Sequence, residues 1–161
     1  MEVDPKQTAA LIRRARAAGT RIVLNLAPAA ALARDALGML DLLVLNETEA
    51  GWLAGDLGAP PDAAGLRAAL GVDTVRTLGG EGAEIATAGG VRHIPAHPVV
   101  VVVDTTAAGD CFVGVLAAAL DRGAPLPDAL SRASVAASLC CTRPGSQNSL
   151  PRAAETDAAM R

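Results

Sequence analysis

Five consecutive valines, Val99 to Val103, run directly into Asp104-Thr105-Thr106-Ala107-Ala108-Gly109-Asp110 and then into an apolar stretch, Cys111 to Leu120. An unbroken β-branched run is the mark of a strand buried on both faces of a parallel sheet. The apolar stretch after it reads as a buried helix, and together they commit the chain to an α/β fold. The small residues between strand and helix permit a tight turn and leave several N–H groups unpaired at the helix start. Unpaired amides and the helix dipole both favour an anion there. An Asp at a helix start is commonly a cap. In so electropositive a turn, Asp110 can instead accept a proton from a hydroxyl while the amides stabilise a transferring phosphoryl group.

Composition narrows the alternatives. With 161 residues the chain can build one domain with a sizeable core. Half its residues are hydrophobic (51%), which argues against disorder. Aromatics are 1%, so the core must be Ala, Val and Leu, each burying little area. The net charge of −3 and scattered basic residues offer no footprint for nucleic acid. Three cysteines make no disulfide framework; Cys140 and Cys141, adjacent in an Ala-rich helix, are expected to be small core residues. No signal peptide is evident at Met1 and no apolar run reaches spanning length, so the cytoplasm is the expected compartment and no membrane partner is expected.

Along the chain, helix and strand signals alternate. A helix is predicted over 5–18, capped by Asp4 with Pro5 at its first position. Strands are expected over 21–25, 41–45 and 73–78, with helices over 30–37, 47–54 and 61–70 between them. Residues 84–95 read as a hairpin turning at Ala88-Gly89-Gly90. After the valines come long helices over 107–122 and 127–142 and a short one near 152–160. The pattern predicts a mostly parallel sheet with an antiparallel edge, flanked by helices, in one domain spanning 1–161. Ligands of such sheets bind beyond the carboxyl ends of the strands, where Asn46, Thr77, Gly79 and Asp104 fall. Trp52 is expected to be a packing residue, and His93 and His97 to be surface or structural residues.

The Asp104 to Asp110 stretch resembles the D-T-[TI]-[GA]-[GA]-G-D signature of the ribokinase (PfkB) family of sugar kinases. Asn46-Glu47-Thr48-Glu49 is similar to that family's N-x-x-E motif, and Thr77-Leu78-Gly79-Gly80-Glu81-Gly82-Ala83 to its T-L-G-x-x-G-A segment. Thr142 to Pro151 is similar to the T-R-x-G-A-Q-x-S-[IV]-P ending of its ribose-specific branch. All four occur in the family's order.

The resemblance implies an ATP-dependent carbohydrate kinase with a ribokinase-like sheet, ribose being the best-matched acceptor. It makes Asp110 the base that takes the proton of the sugar hydroxyl, and the amides of Ala107, Ala108 and Gly109 the anion hole. It assigns Asn46, Thr77, Gly79, Gly82 and Asn25 to the nucleotide, and Ser134 to a place where the family usually has an Asn near the adenine. Glu49 would position Mg²⁺ through water; Asn46 and Glu49 at this spacing would equally form a capping box. Asp104, Thr106, Arg143, Gly145 and Ser149 would surround K⁺, Arg143 through its carbonyl; Asp104 alone would equally suit a loop cap.

Family members are about twice as long, and the four motifs belong to their C-terminal half. The sugar-binding part and lid are expected to be absent, so apolar sheet edges should be exposed. Three readings remain open. The chain is a ribokinase-like kinase; or it is an inactive truncated remnant, or a nucleotide-binding half needing a partner; or it is a sibling kinase for adenosine, fructose or another small hydroxyl substrate, the expected macromolecular partner being a second copy or the missing N-terminal half.

Overall fold

Residues 3–161 are described by a computed structural model. Met1 and Glu2, on which the expectation about a signal peptide falls, lie outside the described residues. The chain divides into two compact units, one formed by residues up to 79 together with 83–93, the other by 80–82 and 94–161.

The first unit is built on strands β1 (Val23–Asn25), β2 (Leu42–Asn46), β3 (Asp73–Thr77), β4 (Ala83–Thr87) and β5 (Gly90–Ile94), in that order across the sheet. β1, β2 and β3 run parallel and β4 runs antiparallel to β3. Helix α1 (Pro5–Ala17) precedes β1, and α2 (Arg34–Leu37), α3 (Glu47–Leu57) and α4 (Ala63–Leu70) connect the parallel strands. Asp4 accepts from the Lys6 amide at 2.8 Å and Pro5 opens α1, as the sequence predicts. β2 lies between two parallel neighbours, and Leu42 to Leu45 are buried without alternation. Its Leu43 and Leu45 share one core with Ala9 and Ile12 of α1, Leu37 of α2, Leu53 of α3 and Leu66 of α4.

The second unit packs helices α5 (Ala108–Asp121), α6 (Leu126–Cys140) and α7 (Ala153–Ala159). Phe112 and Leu116 of α5 and Leu130 and Ala136 of α6 are buried. All three cysteines are free; Cys111 and Cys140 are buried and Cys141 is half-buried. No helix among the described residues is long and apolar enough to cross a membrane.

Three expectations are corrected. Val99–Val103 is not a buried strand: Val100 is fully exposed and Val101 to Val103 are more than half exposed. Valine specifies an extended backbone, but a strand needs a partner edge, and among the described residues no strand pairs with the run. Within 30–37 only Arg34–Leu37 is helical, because Ala30 to Ala33 supply helix propensity without a cap (the N-cap Ala33 has no side-chain acceptor). Trp52 is exposed on α3, which buries the small Ala50 and Ala54 with Leu53 instead.

Candidate active site

In the first unit the predicted residues gather at the carboxyl ends of the parallel strands. Asn25 ends β1, Asn46 ends β2 and Thr77 ends β3, with Asn46 and Thr77 direct register partners. The Thr77 hydroxyl donates to the Leu45 carbonyl at 3.5 Å. Asn46 and Glu49 do form a capping box. The Glu49 amide donates to Asn46 Oδ1 at 2.9 Å, and the Asn46 amide donates to Glu49 Oε2 at 2.8 Å. Glu49 is buried, yet its Oε1 has no protein partner among the described residues. The box therefore orients a carboxylate and leaves one oxygen available to a cation. Gly79 is exposed, and a side chain there would meet open space, so its backbone is accessible to a ligand.

Gly82 behaves otherwise. It has φ +98°, and a Cβ on it would lie 2.1 Å from the Ile94 carbonyl oxygen. It is a close-packing glycine of the second unit, holding the backbone against residues 94–96. Ser134 bears on the same stretch: it is buried on α6 and its hydroxyl donates to the Pro95 carbonyl at 2.8 Å.

The turn before α5 carries the candidate chemistry. Its cap residue is Ala107, which has no side chain to cap with and adopts φ +62°. Ala107 is the one non-glycine residue in the left-handed region among the described residues, a conformation that costs about 1–2 kcal/mol for an L-residue. Asp110 lies in the first turn, is exposed, and makes no capping bond or other side-chain bond among the described residues. One expectation changes: the Ala108 amide donates to Thr105 O at 3.2 Å. The open donors of the turn are instead the amides of Ala107, Gly109 and Asp110, which bond to nothing among the described residues.

Asp104 ties this turn to the tail. Its Oδ1 accepts from the Thr106 amide and its Oδ2 from the Gly145 amide, both at 2.9 Å. Hydrogen bonds from Thr106, then from Gly145, hold its carboxyl down to about 2. Arg143 directs its guanidinium to Glu155 of α7, whose carboxyl is lowered mainly by that bond. Its carbonyl accepts no backbone hydrogen bond among the described residues. Ser149 is fully buried; its hydroxyl donates to Ser146 O at 2.6 Å and meets Cys140 Sγ at 3.1 Å. Cys140 Sγ also lies 3.9 Å from the Thr106 carbonyl. Asp104, Thr106, Gly145 and Ser149 are thus bound into one loop junction. Cys140 and Glu155, which support it, carry no periodic or motif signal in the sequence. No group of three or more His, Cys, Asp or Glu among the described residues converges on a metal position. Any cation here would depend on carbonyls, single carboxylates and the oxygens of a ligand.

The pfkB family carbohydrate kinase model matches residues 2–153. The ribokinase of Staphylococcus aureus is 39% identical over 143 residues, covering 85% of this chain and 47% of that protein. A ribokinase structure from Thermotoga maritima superposes with TM-score 0.86 at 28% identity, over 99% of this chain and 60% of that one. The Arabidopsis thaliana ribokinase complexed with ribose and ATP gives TM-score 0.88 at 26% identity, over 99% and 54% respectively. The chain spans about half the length of the curated relatives it matches.

Proposed function

The chain belongs to the pfkB family of carbohydrate kinases, and on that premise we propose that its α5 turn serves ATP-dependent phosphoryl transfer to a sugar hydroxyl, with ribose as the acceptor. The observation that carries this reading is Asp110, exposed at a helix start yet capping nothing, beside three unengaged amides. Its carboxylate stands in the first turn of a 14-residue helix with both oxygens unengaged, open to a proton from a hydroxyl. It takes that proton from the attacking hydroxyl. The amides of Ala107, Gly109 and Asp110, with the α5 dipole, hold the charge that gathers on the transferring group. The left-handed Ala107 fixes where those amides point.

Mg²⁺, when bound with ATP, neutralises charge on the phosphates. Glu49 has one free carboxylate oxygen for its hydration shell, since Mg²⁺ keeps several waters. The carbonyls of Thr106 and Arg143 suit K⁺, with Asp104 supplying the negative charge. Ribose is favoured over adenosine or fructose by the Thr142 to Pro151 tail and by the ribokinases among the relatives. A second reading is favoured by length: spanning about half of those relatives, the chain can act as a nucleotide-binding half that needs its complement.

The test is ribose-dependent ADP formation from ATP with Mg²⁺ and K⁺, comparing the chain with Asp110→Asn. The expected loss in the variant is about 10²–10⁴-fold, the worth of a positioned base. Turnover that Asp110→Asn leaves unchanged overturns Asp110 as base. No ribose-dependent ADP formation by the parent chain overturns self-sufficient activity and leaves the half-enzyme reading.

A further inference from the structure

Cys140 has no part in the proposed chemistry, yet it touches both segments of the loop junction. It is fully buried at the end of α6. Its Sγ meets Ser149 Oγ at 3.1 Å and the Thr106 carbonyl at 3.9 Å. Cys111, in the first turn of α5, packs in the same buried cluster. The next residue, Cys141, accepts the amides of Val103 and Asp104 on its carbonyl, at 2.8 and 3.2 Å. The end of α6 therefore holds the turn before α5 on one side and the tail at Ser149 on the other.

Counting protons gives these contacts a direction. The Ser149 hydroxyl has one hydrogen, and it goes to the Ser146 carbonyl at 2.6 Å. In the 3.1 Å contact the thiol therefore donates and Ser149 accepts. Burial, with Cys140 beside it, pushes the Cys111 thiol up to about 12, so that neighbour keeps its own proton. The Thr106 carbonyl accepts no backbone hydrogen bond among the described residues, and at 3.9 Å the thiol engages it only weakly. Both oxygens touched by Cys140 thus keep lone pairs to spare. We propose that Cys140 is a positioning residue for the monovalent cation, its thiol fixing the Ser149 hydroxyl and the Thr106 carbonyl relative to each other. Sulfur is a soft ligand and K⁺ a hard cation, so Cys140 acts through these two oxygens and not by contact. The inference rests on the reading that this loop junction holds K⁺, and it adds a residue that no motif of the chain includes.

The test is thermal unfolding of the chain across a KCl titration, with choline chloride holding the ionic strength constant. A cation that binds only the folded state raises Tm. Cys140→Ala and Cys140→Ser give up nearly the same volume and differ in the donor, which only the serine keeps. In Cys140→Ala a given K⁺-dependent rise in Tm should need roughly tenfold more KCl than in the parent, the usual effect of losing a group that orients a metal ligand. Cys140→Ser should need nearly the parent's concentration. Each variant is read against its own choline baseline, so a lower intrinsic Tm leaves the comparison intact. Should Cys140→Ala fail to fold, Cys140→Val removes the same donor while refilling the space. A KCl requirement that is the same in all three proteins, or as high in Cys140→Ser as in Cys140→Ala, would overturn the proposal and leave Cys140 a packing residue. A parent Tm that does not respond to K⁺ would overturn the proposal together with the cation reading beneath it.

Discussion

Asp104 shows how one side chain can tie two distant segments of chain together. Accepting from Thr106 and Gly145, it staples the turn before α5 to the tail, and those bonds lower its carboxyl from an ordinary 3.8 to about 2. A lowered carboxyl contributes stability that is complete above its unfolded value and is lost as pH falls through the folded one. The contribution should therefore fade between about pH 4 and pH 2. In acid-unfolding curves Asp104→Asn is expected to be less stable than the parent at neutral pH, with the two converging near pH 2. Curves that stay parallel throughout would separate Asp104 from the loop junction. Ala107 carries the opposite kind of information. Its left-handed backbone is strained for alanine, so Ala107→Gly should be neutral or more stable, by up to roughly 1 kcal/mol after glycine's unfolded-state entropy is counted. Ala107→Val should lose at least about 1 kcal/mol at the same position, since β-branching suits φ +62° poorly. Chemical denaturation of the pair measures both. The sequence indicated that Asp110 sits at a helix start; it could not say whether it caps, because that depends on the Ala107 backbone.

At the scale of elements, the capping box of α3 is the clearest case of a motif with two readings. N-x-x-E is legible in the sequence both as a cap and as a cation-positioning pair, and the geometry satisfies the first while leaving Glu49 Oε1 for the second. Asn46→Ala removes the acceptor for the Glu49 amide and should cost roughly 0.5–2 kcal/mol, measured by denaturant titration. The parallel strands were equally legible, because a continuous apolar run such as Leu42 to Leu45 fits a strand with neighbours on both sides. The same rule failed at Val99–Val103, where composition reports the preference for an extended chain and is silent on whether a neighbouring edge exists. Ala30 to Ala33 failed for a related reason, since propensity without a cap does not start a helix. Gly82 was legible as a glycine that mattered but not for which purpose. Its missing Cβ accommodates the Ile94 carbonyl, so Gly82→Ala should destabilise by about 2 kcal/mol or more. A fall confined to nucleotide affinity, with stability intact, would contradict that account.

For the whole molecule, catalytic groups and rate enhancement are separable quantities. A positioned general base supplies about 10²–10⁴-fold, whereas holding two reactants in line is worth up to roughly 7–11 kcal/mol. The family was legible from four ordered motifs because each lies in a short contiguous stretch of chain. What would position an acceptor was not, since the motifs found here fall in a chain that spans about half of its curated relatives. A polypeptide of these 161 residues should therefore bind ATP more readily than it turns over ribose. Calorimetry should show ATP binding that Asp110→Asn leaves nearly unchanged, because a general base contributes to the transition state and not to ground-state affinity. Ribose turnover should lie several orders of magnitude below that of the full-length S. aureus ribokinase under the same conditions. Turnover equal to the full-length enzyme would show that these residues alone align the acceptor. Absence of ATP binding would remove the nucleotide role from Asn46, Thr77 and Gly79 together.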